Sequence, residues 1–277
     1  MNVVINSPLK ANPSDSVLIP GQQDYYCNIL ACLGYSIAEL PVADLLRRLH
    51  GWADEGLWLI VSPMHWQATH NDAMMTAAGA DLLLTEDEGR AWFDAFATFA
   101  ETDTIKMYYH DASTWLIQLT NYSPITARPV YTSLHQSMMP QLETLDHTLF
   151  WQRFMTESQM FLSGHVLNQA RQGRCVINGI WIWGGGRIHI SDHHNILIDN
   201  DNLLPFATLL STRVMMYSAK QQVPDETLIL WHDVGSLPML QQQLKKRTVA
   251  WYWNNQAYLL KPKHWWQRFW RTIRHAD

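Results

Sequence analysis

The sequence predicts an α/β fold: a mixed sheet with antiparallel hairpins and flanking helices. Three observations predict it. Short apolar runs of strand length alternate with longer runs of helical period. Two pairs of strand-like runs sit close enough in sequence to form hairpins. Hydrophobic residues make up 47% of the 277 residues and charged residues only 16%, so a sizeable core can be buried. With no internal repeat and no evident linker, the expectation is a single domain over 1–277, with 122–141 as its one reasonable seam.

The elements follow in order. Residues 1–22 are turn-rich, with Pro8, Pro13, Pro20 and Gly21. Two helices are expected over 24–48, broken near Gly34 and Pro41. A buried strand follows at 57–62, then a helix over 71–78 and a short strand at 82–84. Thr85 can cap a helix whose Glu88 stands at the reciprocal capping-box position. That helix should bury Trp92, Phe93, Phe96 and Phe99. A hairpin is expected from 105–109 and 115–120, and a proline-containing loop from 124 to 140. The longest helical run is 145–171. Short strands are read at 176–183, 188–190 and 196–198, and another at 228–231. A second hairpin over 249–260 turns at Asn254-Asn255. A helix over 264–273 follows.

Net charge is -5 and the pI near 6.2, which makes nucleic acid an improbable partner. Cys27, Cys32 and Cys175 form no tight metal spacing, and a reduced cytoplasmic setting is expected. No basic segment leads an apolar run at the start, and no stretch of about 18 apolar residues occurs. Neither a signal peptide nor a transmembrane helix is therefore expected.

The most specific segment is Asn168-x-x-Arg171-x-Gly173, followed by Val176 and then Asn178-Gly179-Ile180-Trp181-Ile182-Trp183-Gly184-Gly185-Gly186. Strand alternation puts both indoles on one face and Asn178 on the other. The triple glycine admits two readings, a phosphate cradle or a tight turn. Arg187-Ile188-His189-Ile190 follows it and reads as a strand rather than a helix start, which favours the turn.

These residues, with Glu157-x-Gln159-Met160 and His165 upstream, resemble the bacterial RpfE-type regulatory protein family. Ser62-Pro63-Met64-His65-Trp66 stands where that family has Asp-Pro-Val-His-Leu. Trp115-Leu116 occupies an Arg-Trp-Tyr-Leu strand, with Thr114 replacing the Arg. Phe269-Trp270-Arg271 matches a closing Phe-Trp-Arg-Arg. The resemblance covers roughly 50–271. It implies a role in regulating pathogenicity factors. Relatives labelled phosphoglycerate-mutase-like imply more: a reduced alkaline-phosphatase-like core, two metals and a Ser or Thr nucleophile.

Against that implication, the residues name no credible nucleophile and no early Asp-Gly ligand pair. Ser191-Asp192-His193-His194-Asn195 is similar to the Asp-His-Gly-Asn metal motif of cofactor-independent phosphoglycerate mutases, but His194 replaces its Gly. The run reads more simply as a polar turn between two strands. No cofactor and no tightly held metal are expected; if a metal binds, Asp192 and His193 are its ligands. Glu157 reads as a structural partner, for Arg153 or a sheet edge. His65, near His70 and Asp72, follows a strand end, where ligand-binding side chains gather in α/β folds. The expected ligand site therefore comprises His65, Asn178, Gly184, Gly185 and Gly186.

One basic patch remains. Trp266, Phe269, Trp270 and Ile273 fall at helical spacing, with Arg268, Arg271 and Arg274 off that stripe. Docking of the stripe on the sheet is the simpler reading, and contact with an anionic membrane the sharper one. The sequence thus points to a soluble, non-catalytic regulatory or binding protein whose partner is a protein or small molecule. A divergent metal-dependent phosphohydrolase or mutase is the alternative, and a peripheral membrane or partner-binding module the third reading.

Overall fold

A computed structural model describes residues 1–68, 72–122, 124–145, 148–219 and 221–262. The strands are β1 (Asn2–Ile5), β2 (Val17–Ile19), β3 (Leu57–Ala68), β4 (Ala73–Ala78), β5 (Ile105–Asp111), β6 (Thr114–Leu119), β7 (Gly179–Trp183), β8 (Ser191–Ile198), β9 (Ser211–Met216), β10 (Leu228–Trp231), β11 (Val249–Tyr252) and β12 (Ala257–Leu260). The helices are α1 (Tyr25–Cys32), α2 (Val42–Leu49), α3 (Glu86–Ala100), α4 (Val130–Ser133), α5 (Met139–Glu143), α6 (Phe150–Ser163), α7 (Leu204–Thr208) and α8 (Leu237–Leu244). The fold is mixed α/β, as expected. Its described residues divide into two compact units: Met1–Leu33 with the described residues from Ile190 onward, and Gly34–His189. Residues 122–141 lie inside the second.

The first unit is built on a seven-stranded sheet in the order β2-β12-β11-β1-β10-β8-β9. β11, β1, β10, β8 and β9 run parallel, while β12 and β2 add antiparallel at one edge. β1, β10 and β11, with Ile196–Ile198 of β8, read as near-continuous apolar runs because both faces are covered. One face packs Val3, Ile5, Ile229, Trp231 and Trp251 against Leu237, Leu240 and Leu244 of α8. On α1, which contacts β1, Ile29 and Leu30 are fully buried.

The second unit is built on β3. β6 pairs with its residues Leu57 to Val61, and β7 pairs antiparallel with Ile60 to Met64. Ile60 and Val61 pair on both sides, so β6 and β7 flank β3. Met64 pairs with both Gly179 and Ala78, so β4 follows β6 along the same edge. β5 pairs with β6 outside it.

Several expectations are corrected. The run 71–78 is no helix where described: Ala73–Ala78 is β4, its helix-favouring Ala and Met overridden by antiparallel pairing with β3. The strand read at 57–62 continues through Pro63 to Ala68. Residues 82–84 are not a strand; a 3-10 turn over Gly79–Leu82 ends at Leu83 in the left-handed region. The run 145–171 is broken, α6 ending at Ser163 before a 3-10 turn over Val166–Ala170. Residues 188–190 form no strand, and 192–195 are no turn but part of β8, where the pairing with β9 shifts between Ser191 and Asn195. The turn-rich start holds β1 and β2. β9 and α8 had no counterpart in the sequence reading. Phe99 is exposed on α3, stacked on Phe161 with ring centroids 4.5 Å apart. The helix read at 264–273 lies outside the described residues.

Candidate functional site

β7 leaves its sheet through the triple glycine, and a local need explains why glycine stands there. α2 begins at Pro41, which offers no capping side chain. The Gly184 carbonyl fills the gap, accepting from the Ala43 N–H at 3.0 Å and so pairing one of the helix's orphan donors. Gly184 has φ +81°, and a Cβ there would lie 2.8 Å from Ile60 Cγ1. Gly186, at φ +115°, passes beside Pro41. Both positions need the freedom that only glycine has.

The turn delivers Arg187 and Ile188 to Asp44, in the first turn of α2. Asp44 is 1% exposed. Its carboxylate accepts from Arg47 Nε (3.0 Å), Arg47 Nη2 (2.8 Å) and the Ile188 N–H (2.9 Å). Arg48 pairs with it at 3.0 Å and Arg187 at 3.4 Å. Arg187 also bonds to Asp54, as does Arg47 at 2.9 Å. The hydrogen bond from Arg187 is the chief reason that the Asp54 carboxyl titrates below its usual range. Three guanidinium groups thus meet two carboxylates, one positive charge in excess. Arg48 Nε is buried without a partner.

Beside this cluster opens a cavity of about 340 Å³. Asp44, Gly186 and Arg187 form its polar side; Leu57, Trp58, Tyr122 and Pro124 are among its apolar walls. A volume in this range with a few convergent polar groups suits a small ligand.

His65 and Asn178 lie elsewhere in the same unit. The register Ile60↔Trp183 and Met64↔Gly179 puts the glycine turn near Ile60 and Asn178 near His65. Five residues of strand separate the two ends, roughly 16 Å. The five expected ligand-site residues therefore do not form one site. His65 Nδ1 is 2.9 Å from the Val176 carbonyl oxygen. Asn178 precedes β7 rather than projecting from a strand face. Its Nδ2 donates to the Trp66 carbonyl and its Oδ1 accepts from the Trp66 N–H. These bonds span the shift in β3–β4 pairing between His65 and Trp66. Asn168 acts similarly: Nδ2 donates to the Leu162 and Ile177 carbonyls, and Oδ1 accepts from the Ile177 N–H. Arg171, 1% exposed, bonds to Glu88 and to the carbonyls of Leu82 and Cys175. Glu88 also binds Arg174 at 2.9 Å. Only half of the predicted capping box forms, Thr85 accepting from the Glu88 N–H while the Glu88 carboxylate serves the arginines. The polar residues of the most specific motif hold the backbone together.

Trp181 and Trp183 are buried, at 0% and 2% exposure. Trp181 Nε1 donates to the Arg128 carbonyl at 2.8 Å, and Trp183 Nε1 to Ser62 Oγ at 3.0 Å. Their strand pairs with β3 alone among the described residues, so it is not central. Met160 faces solvent.

In the first unit, polar residues gather past the carboxyl ends of the parallel strands. Asp199 Oδ2 accepts from the His232 and Asp233 N–H groups, both at 2.8 Å. Asn254 Nδ2 donates to Asn6 Oδ1 at 3.0 Å. Asp199 Oδ1 and Asn254 Oδ1 are buried without partners. Asp192 and His193 are not among these residues: they pair with each other at 2.9 Å on an exposed stretch of β8. Among the described residues no three His, Cys, Asp or Glu converge as metal ligands, so those present do not fit a two-metal centre. Arg268, Arg271 and Arg274 lie outside the described residues, as does His70.

No protein-family model matches this chain, and no curated protein matches it at significance. Among solved structures, it is similar to the cofactor-independent phosphoglycerate mutase from Thermoplasma acidophilum DSM 1728. Identity is 10% and the TM-score 0.36, over 93% of this chain and 88% of that one. It is also similar to the PH0037 protein from Pyrococcus horikoshii, at 11% identity and a TM-score of 0.41, over 93% and 85%.

The cluster at Asp44 escaped the sequence reading, although one signal was present. Asp44, Arg47 and Arg48 stand at i, i+3 and i+4 and share a helix face. Arg187, the fourth member, is 143 residues from Asp44 in sequence, and only the fold joins them.

Proposed function

We propose that this protein is a non-catalytic binding protein of regulatory type, as the RpfE resemblance implies, with its ligand in the cavity beside Gly186 and Arg187. One observation carries the reading: the glycine turn places Arg187 and Asp44 on a cavity walled by Trp58 and Tyr122. The excess positive charge favours an anion, and the aromatic walls favour a flat apolar body. Asp54, whose side chain is 67% exposed, holds Arg187 from the solvent side, and a ligand carboxylate or phosphate could take its place. A cytoplasmic setting belongs to the proposal, supported by three free cysteines. No helix among the described residues is long and apolar enough to cross a membrane.

Calorimetric titration with a panel of aromatic carboxylates and aryl phosphates tests the reading. At least one should bind without turnover, and Arg187→Ala should weaken it about tenfold or more, roughly the worth of a lost charge-assisted bond. Full affinity in folded Arg187→Ala, or hydrolysis of a bound phosphate ester, would overturn it.

One observation favours the phosphohydrolase alternative, the partnerless Asp199 Oδ1 beside His232 and Asp233. Elemental analysis of protein purified without chelator tests it. A stoichiometric transition metal lost in Asp199→Ala would promote that alternative.

A further inference from the structure

A larger cavity, of about 520 Å³, opens in the first unit where α8 ends, β11 begins and β12 ends. It lies at the amino-terminal end of β11, the sheet edge opposite the one that gathers Asp199, His232 and Asn254. Its floor is apolar: Leu244, Val249 and Trp251 line it and are buried. Its rim is basic. Among the described residues, Lys245, Lys246, Arg247 and Lys261 line it against a single acid, Asp15, in a chain of net charge -5. Arg247 is paired with Asp225, whose side chain is almost fully exposed.

We propose that this cavity binds an amphipathic anion: a phosphate or carboxylate head among Lys245, Lys246, Arg247 and Lys261, and a hydrocarbon body over Leu244, Val249 and Trp251. The two halves demand different chemistry. The ammonium and guanidinium groups attract any anion, while the floor rewards only a ligand with apolar surface to bury.

The full chain is titrated with decyl phosphate below its micelle concentration, and in parallel with inorganic phosphate and with decanol. Decyl phosphate should bind at least about tenfold more tightly than either. Charge reversal at two exposed side chains, Lys245→Glu with Lys246→Glu, should weaken it by about tenfold or more while circular dichroism stays native. Equal affinity for inorganic phosphate, equal affinity for decanol, or unchanged binding in the folded double variant would each overturn the proposal. Sedimentation with phosphatidic acid vesicles separates the two sources of such an anion. Binding lost in the double variant assigns the head group to a membrane lipid; decyl phosphate binding without vesicle binding assigns a free monoester.

Discussion

The Asn178 side chain pairs with the backbone of Trp66 as a neighbouring strand would, donating to its carbonyl at 2.8 Å and accepting from its N–H at 2.9 Å. It thereby bridges the irregularity in β3 where ladder pairing with β4 slips. Asn178→Ala should lower stability by about 2–3 kcal/mol, because both Trp66 backbone groups lose their partner. Urea denaturation checks this. A change under about 0.5 kcal/mol would mean that water replaces the amide without loss.

Trp181→Ala and Trp183→Ala should each cost about 3–5 kcal/mol, the range for deleting a fully buried indole. The Phe variants separate packing from hydrogen bonding. Trp181→Phe leaves the Arg128 carbonyl without its donor, and Trp183→Phe leaves Ser62 Oγ without one. Thermal melts with no loss in either alanine variant would reject the packing described.

Asp44→Ala should cost about 3–5 kcal/mol, since it leaves Arg47 buried without its principal counter-charge. Asp54→Ala removes only the exposed member of the cluster and should cost well under half of that. Equal losses would show that the charge cluster does not centre on Asp44.

His50 Nε2 and His110 Nδ1 lie 2.8 Å apart, and burial lowers the pKa of both. Asp111 and Glu86 raise His110 again, and His50 lowers it further, with the downward causes prevailing. The native state therefore binds fewer protons than the unfolded chain below the ordinary histidine value of about 6.5. Stability from this pair should be complete above that pH and should fall as pH drops below it. Urea midpoints at neutral and mildly acidic pH measure the fall, and His50→Asn with His110→Asn should flatten it. An undiminished slope in that double variant would assign it to other groups.

Sequence pattern exposed those parts of the fold whose cause is local. Thr85 caps α3 because a hydroxyl at that position reaches the Glu88 N–H. The hairpin of β11 and β12 turns at Asn254-Asn255, where two polar residues interrupt the apolar runs on either side. The strand Gly179–Trp183 announced itself by alternating Ile and Trp. What stayed hidden depends on distant partners. β1 has only four residues after Met1, and nothing nearby marks it as the middle of a sheet. β4 is a strand because β3 pairs with it, not because Ala-Met-Met-Thr prefers extension. Asn178 looked like a ligand contact because an amide beside an apolar strand needs partners, and sequence cannot show that Trp66 supplies them. The glycine turn was legible as a turn; its neighbours Asp44 and Arg187 were not.

The division of the sheet between the two ends of the chain sets the order of events during synthesis. Asn2 pairs with Leu228 on one side and with Ala250 on the other. The ribosome thus delivers β1 long before either of its neighbours. Gly34–His189 can complete its own pairing meanwhile, since its strands all lie within that span. Val3, Val4 and Ile5, fully buried in the finished protein, wait with two open backbone edges until β10 and β11 have emerged. Chains stalled or cleaved before residue 228 carry an apolar strand that nothing in them can pair with in the native way, which makes them natural clients for holding chaperones.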